Sequence, residues 1–131
     1  MIGVDTNVLV RYITQDDPRQ SKMAERAIEK AVAGGAKVLV QPIVLCELVW
    51  VLESAYRYGK SEIIAVIEQV MRTVQFEIAD KDVIWKALED FSGGAVDFSD
   101  YLIGRANERA GAQTTLTFDR SLKGCHRFTL L

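Results

Sequence analysis

Short apolar or β-branched stretches recur along the chain at Met1–Val4, Val38–Val40, Phe76–Ala79 and Thr114–Thr117, and the segments between them are long enough for one or two helices each. No other feature constrains the fold as strongly. Strands separated in this way cannot be joined by tight hairpins, and parallel pairing needs a returning connection that is normally a helix. With Phe128–Leu130 as a last strand, the pattern predicts an α/β fold: a central parallel sheet of four to five short strands, flanked by helices on both faces. In such sheets functional groups collect beyond the carboxyl ends of the strands.

Helix signals fill the intervals. Asp17-Pro18 supplies an N-cap and a proline at the first helical position, and Gly34-Gly35 closes that helix. Pro42 opens a second helix running to about Tyr58 and stopping at Gly59. Ser61 is read as the cap of a third, to about Arg72, and Asp80 as the cap of Val83–Phe91, which Gly93-Gly94 breaks. A last helix starts at Asp97 or Ser99 and ends at Gly111. No repeat or shift in composition divides the 131 residues, so a single domain over 1–131 is expected.

Composition excludes several classes. Hydrophobic residues make up 49% and charged residues 26%, which suits a globular chain with its own core. The longest apolar runs, Leu48–Leu52 and Ile63–Ile67, are five residues each, against about twenty for a membrane span. The N-terminus carries no signal-like segment, so a soluble, cytoplasmic protein with no membrane association is expected. The formal charge of −2 has no basic block to announce a nucleic acid. Cys46 and Cys125 lie far apart in sequence and are read as buried structural thiols. His126, the only histidine, is read as a surface residue.

Four acidic positions stand out. Ile43–Leu52 has nine apolar residues of ten, with Glu47 the exception. If that helix is buried all round, an ionised carboxylate there needs an arginine from elsewhere or a metal ion. Asp5 ends the first strand, where it serves either as a helix cap or as a functional group. Asp97 and Asp100 are three apart at a helix start, where acids also favour the helix dipole. Asp119 follows another strand and suits a turn as well as a site. If these carboxylates converged without a counter-charge they would repel one another, and Mg²⁺ or Mn²⁺ with oxygen ligands resolves that repulsion. No histidine or cysteine constellation for covalent catalysis accompanies them, and carboxylates with a metal suit hydrolysis of a phosphodiester. A phosphatase opening with Asp-x-Asp is disfavoured because the second position here is Asn7.

These residues together resemble the PIN-domain ribonucleases, and more narrowly the VapC-like toxins. The resemblance is carried by Met1–Val10 with Asp5-Thr6-Asn7, by Glu47 within Cys46–Leu52, by Asp97–Ile103, and by Thr117-Phe118-Asp119. It implies that Asp5, Glu47, Asp100 and Asp119 are the metal-binding and catalytic acids, holding one or two Mg²⁺ or Mn²⁺ ions. Thr6, Asn7 and Thr117 would orient carboxylates or waters, and Asp97 would cap or support. Where relatives often follow the last aspartate with an acid and an aromatic, this chain has Arg120-Ser121-Leu122. An acidic cleft needs cations nearby to position an RNA backbone, and Arg11, Arg105, Arg109, Arg120 and Lys123 are the candidates. The resemblance further implies an RNA substrate, a homodimer and a cognate antitoxin protein. A housekeeping PIN nuclease and a non-catalytic PIN-like binding module are the alternatives.

Overall fold

A computed structural model describes all residues, 1–131. Five short strands are present, as the alternation predicts, but by hydrogen bonding they form two ladders, one of three strands and one of two. The chain divides into two compact units, Met1–Ala79 and Asp80–Leu131. Each unit holds one ladder, so the expected single sheet of four to five paired strands is not what the hydrogen bonds make. No helix is long and apolar enough to cross a membrane.

The first unit runs β1 (Ile2–Gly3), α1 (Thr6–Thr14), α2 (Pro18–Ala33), β2 (Val38–Val40), α3 (Pro42–Ser54), α4 (Lys60–Arg72) and β3 (Phe76–Ile78). Its strands are ordered β1-β2-β3 and all pair in parallel, with Ile2 opposite Val38 and Val38 opposite Phe76. Every connection is therefore a helical return. Val38, Val40, Phe76 and Ile78 are buried, while Glu77 between the last two is exposed, the alternation expected of strands.

Local chemistry sets the helix boundaries. Asp17 accepts from the Gln20 backbone N–H at 3.0 Å, and Pro18 begins α2 as expected. α4 starts two residues earlier than the Ser61 reading: Gly59 is the N-cap, and its N–H donates to Glu62 Oε1 at 3.1 Å. α3 ends at Ser54, short of Tyr58. The first helix, α1, has no counterpart among the expected elements; Asp5 caps it by accepting from the Val8 N–H at 3.1 Å.

The second unit runs α5 (Lys81–Gly93), α6 (Phe98–Arg109), β4 (Thr115–Thr117), a 3₁₀ turn at Arg120–Leu122 and β5 (Phe128–Leu130). β4 and β5 are parallel, with Leu116 opposite Thr129. Phe91 of α5 meets Phe98 of α6 edge to face at 5.9 Å, the geometry aromatic quadrupoles favour. Asp80 precedes α5 in a left-handed conformation (φ 53°) and makes no side-chain cap, contrary to its reading as one.

The end of α1 is tied to the segment after α3 by a polar network centred on Asp16. Tyr56 donates its hydroxyl to Asp16 Oδ2 at 2.5 Å, Thr14 donates to Oδ1 at 2.8 Å, and Arg11 Nη1 donates to Oδ1 at 3.0 Å. Led by the Tyr56 bond, these hold the Asp16 carboxyl down at about 2. Because the folded value lies below the usual one of 3.8, the network's stabilisation is present above that pH and lost as the pH falls toward about 2. Urea unfolding at a series of pH values should show stability declining through this window, and Asp16→Asn should flatten that part of the profile.

Candidate active site

The sequence marks acids at strand ends, and the structure places two of the four in each unit. In the first, Asp5 lies just past β1 and is exposed, with Thr6 half-buried and Asn7 exposed behind it in the first turn of α1. Asp5 and Asn7 open onto a cavity of about 390 Å³ between α1 and α2, which Arg11 and Gln20 also line. The Asp5 cap role and its exposure are compatible, since only one carboxylate oxygen serves the Val8 N–H.

Glu47 is placed differently from its sequence reading. It is exposed, and so are Ile43 and Trp50, at 66% and 68%. Positions 43, 47 and 50 fall on one face of α3, while Val44, Leu45, Leu48, Val49 and Leu52 are buried. The helix is therefore apolar on its solvent face as well as its core face. The argument from a buried, unpaired carboxylate fails, and what remains for Glu47 is its place in the motif. Trp50, exposed, is not core. Cys46 beside it is half-buried, not fully buried, and burial with the neighbouring Glu47 charge pushes its thiol up to about 11. Cys125 is likewise half-buried and free, and His126 is exposed as expected.

In the second unit the acids crowd one another. Asp97 is the N-cap of α6 without a side-chain cap bond, and Asp100 is in the first turn. Burial raises the Asp100 pKa, and the charges of Asp97 and Asp119 raise it further. None of the ion pairs of this unit involves Asp97, Asp100 or Asp119. Asp119 is held in place: its N–H donates to Thr117 Oγ1 at 3.0 Å, and its Oδ1 accepts from the Ser121 N–H at 2.9 Å and the Ser121 hydroxyl at 2.6 Å. The Ser121 bonds lower its pKa. Thr117 thus holds the Asp119 backbone, and Ser121 holds its carboxylate.

The cations sort clearly. Arg105 binds Asp90 with two bonds of 2.7 and 2.8 Å and reaches Glu108. Arg109 pairs with Asp82. Neither is free for an RNA backbone. Arg11 is engaged by Asp16, Gln20 and Tyr56. Arg120 and Lys123 are exposed and make no ion pair.

The family model for the PIN domain matches residues 2–124. The chain belongs to the PIN domain family. It is similar to a VapC ribonuclease of Aquifex aeolicus (strain VF5), 26% identical over 120 residues that make up 92% of this chain and 88% of the relative. It also aligns with the crystal structure of Mycobacterium tuberculosis VapC20, a Sarcin-Ricin loop cleaving toxin, at 22% identity and a TM-score of 0.42, covering 95% of each chain.

For a PIN domain the question is whether these side chains suit a divalent cation. Neither unit by itself gathers three acidic, histidine or cysteine side chains closely enough to hold one. The donors on offer are nevertheless carboxylate oxygens, the hard ligands Mg²⁺ and Mn²⁺ prefer. The unrelieved repulsion at Asp100 is the condition a cation would remove, so the residues fit the ion.

One support was not foreseen from the sequence, where Gly93-Gly94 reads only as a helix breaker. The Tyr101 hydroxyl accepts from the Val96 N–H at 3.4 Å and packs directly on Gly94. A Cβ at position 94 would overlap that hydroxyl and lie 3.1 Å from the Asp90 carbonyl. This contact fixes the turn that delivers Asp97 and Asp100. Gly94→Ala should cost about 1–3 kcal/mol of stability in urea unfolding, as overpacking does. Its effect should be strongly non-additive with Tyr101→Ala.

The crowding at Asp100 has a stability consequence of opposite sign. A carboxyl whose folded pKa is raised opposes folding once it is ionised, because the unfolded chain ionises more readily. Asp100→Asn should therefore stabilise the protein in EDTA at neutral pH, with the gain fading below about the usual carboxylate pKa. Paired urea titrations at pH 7 and pH 3 measure it.

Proposed function

We propose that this PIN domain chain is a metal-dependent endoribonuclease, the toxin half of a toxin–antitoxin pair. The observation that carries the reading is Asp100, whose carboxyl is raised by burial and further by the charges of Asp97 and Asp119, and which no basic side chain of its unit pairs. The similarity to a VapC ribonuclease along 92% of the chain supports the choice of RNA as substrate. The family model spans both compact units, which supports their acting as a single domain over 1–131.

In this reading Asp5, Glu47, Asp100 and Asp119 hold one or two Mg²⁺ or Mn²⁺ ions. The bound ion supplies a lowered pKa for water and stabilisation of charge on phosphoryl oxygens. Thr117 and Ser121 hold Asp119 in place, and the Val8 N–H holds Asp5. Asn7 lines the same cavity as Asp5, and in this reading it orients water. Asp97 remains a supporting charge. Arg120 and Lys123, exposed and without ion pairs, position the RNA backbone. The protein is proposed to act in the cytoplasm as a homodimer restrained by a cognate antitoxin. The exposed Ile43 and Trp50 on α3 supply apolar surface of the kind such contacts cover.

The test is cleavage of RNA by the purified protein with Mg²⁺ or Mn²⁺, beside EDTA and Asp5→Asn. Loss of an acid that holds the ion should lower the rate by more than about a hundredfold, since removing even its supporting groups costs 10–100-fold. Cleavage that survives Asp5→Asn would sink the assignment.

A further inference from the structure

The cavity between α1 and α2 opens beside Asp5, and its volume of about 390 Å³ lies at the small end of those that take small organic ligands. Its walls include Val8, Met23 and Ala27, and its polar groups include Arg11 and Gln20. Those two side chains are locked together. Arg11 Nε donates to Gln20 Oε1 at 2.7 Å, and Arg11 Nη1 donates to Asp16 and to the Tyr56 hydroxyl. What remains unspent is the Arg11 Nη2 group and the Gln20 amide N–H₂, which have no acceptor in the protein. Two oriented donor groups therefore belong to the polar lining of a partly apolar slot.

A phosphate is a poor occupant, because Asp5 lines the same cavity and Asp16 already neutralises Arg11. A neutral, flat ring with two acceptors on one edge is a better match. Among the RNA bases guanine presents that edge, with O6 and N7 side by side. Adenine offers an amino donor in place of O6, which would oppose the donors already there; uracil's two carbonyls are separated by the N3–H donor; and cytosine, which does pair N3 with O2, is a single ring that fills less of the slot than a purine.

We infer that the cavity is a base-reading subsite that takes a guanine of the RNA, with Gln20 Nε2 and Arg11 Nη2 donating to its O6/N7 edge. This rests on the ribonuclease reading and deepens it by naming what lies next to the scissile phosphate. Arg11 then reads a base, where the sequence suggested only a backbone contact. Asp16 and Tyr56 are positioning residues that hold the Arg11 fork.

Binding of mononucleotides in EDTA tests the subsite apart from cleavage. The full chain, ¹⁵N-labelled, is titrated with GMP and with AMP while the Gln20 side-chain amide and Arg11 Nε–H signals are followed. GMP should shift both signals and bind at least about fivefold more tightly than AMP, the lower end of what a bidentate base contact contributes. Gln20→Glu keeps the acceptor for Arg11 Nε but removes the amide donor, and should abolish the preference. Ala27→Trp fills the slot and should abolish binding. In the cleavage assay, Gln20→Glu should flatten selectivity for guanine beside the cut. Equal binding of GMP and AMP, shifts confined to other residues, or a preference that survives Gln20→Glu overturns the proposal. A slot built for a protein segment would give the first or second of those results. Guanine selectivity in EDTA without any cleavage would instead count against the nuclease reading.

Discussion

Parallel pairing of very short strands governs where chemistry can sit in this protein. A strand of two or three residues has no room for a functional side chain along its length, and its chain must leave through a helix or a turn. In the first unit that exit is Asp5, the residue after β1 that also starts α1. In the second it lies just beyond β4, where Asp119 starts a 3₁₀ turn. Both acids are set in place by backbone N–H groups at the start of the next element, one from Val8 and one from Ser121. The capping bond that ends the strand therefore also aims the carboxylate. The cap and the proposed functional group, which read as rival explanations in sequence, are compatible in one side chain.

The strands and most helices were legible because their signals are local. Val38–Val40 is apolar and β-branched, and Asp17-Pro18 starts a helix by the shape of its own backbone. The helix α1 was not legible as an element because Val8-Leu9-Val10 favours a strand by propensity, and tertiary packing of Leu9 and Val10 overrides it. Pairing was equally hidden: strand content is local, but which strands share hydrogen bonds is not. Glu47 shows the limit of composition. Nine apolar neighbours suggested burial, yet Ile43 and Trp50 turn that face of α3 to solvent. An apolar sequence does not say whether a partner or the core is meant to cover it. The Asp97–Asp100 pair was readable from its spacing, whereas the role of Tyr101 against Gly94 depends on a turn no periodicity reveals.

Stability and the candidate chemistry pull in opposite directions at Asp100. A half-buried carboxylate beside two others is an expense the fold carries, and nothing in its own unit offsets it with an ion pair. Elsewhere in that unit acids are paired closely, as Asp90 with Arg105 and Glu108 with Arg127 at 2.9 Å. The chain thus has arginines available and does not place them at Asp100. Unrelieved charge at one place, among relieved charge at others, is the pattern expected where a local rule is broken for function.

The same selectivity bears on how a protein with a formal charge of −2 would handle a polyanion in the proposed reading. Net charge is a poor guide when some cations are committed to specific carboxylates and others are not. Arg105, Arg109 and Arg127 neutralise specific carboxylates, so they add rigidity and little external field. Arg11 is committed as well, but asymmetrically. Its Nε and Nη1 are occupied, which fixes the plane of the guanidinium, while Nη2 is left over. A free lysine or arginine attracts any phosphate within a Debye length and discriminates little. A guanidinium pinned by Asp16 and Gln20 has lost that reach, and the ordering entropy of the fork is already spent before a ligand arrives. In the proposed reading, attraction to RNA and recognition of it fall to different residues: Arg120 and Lys123 for the first, Arg11 and Gln20 for the second.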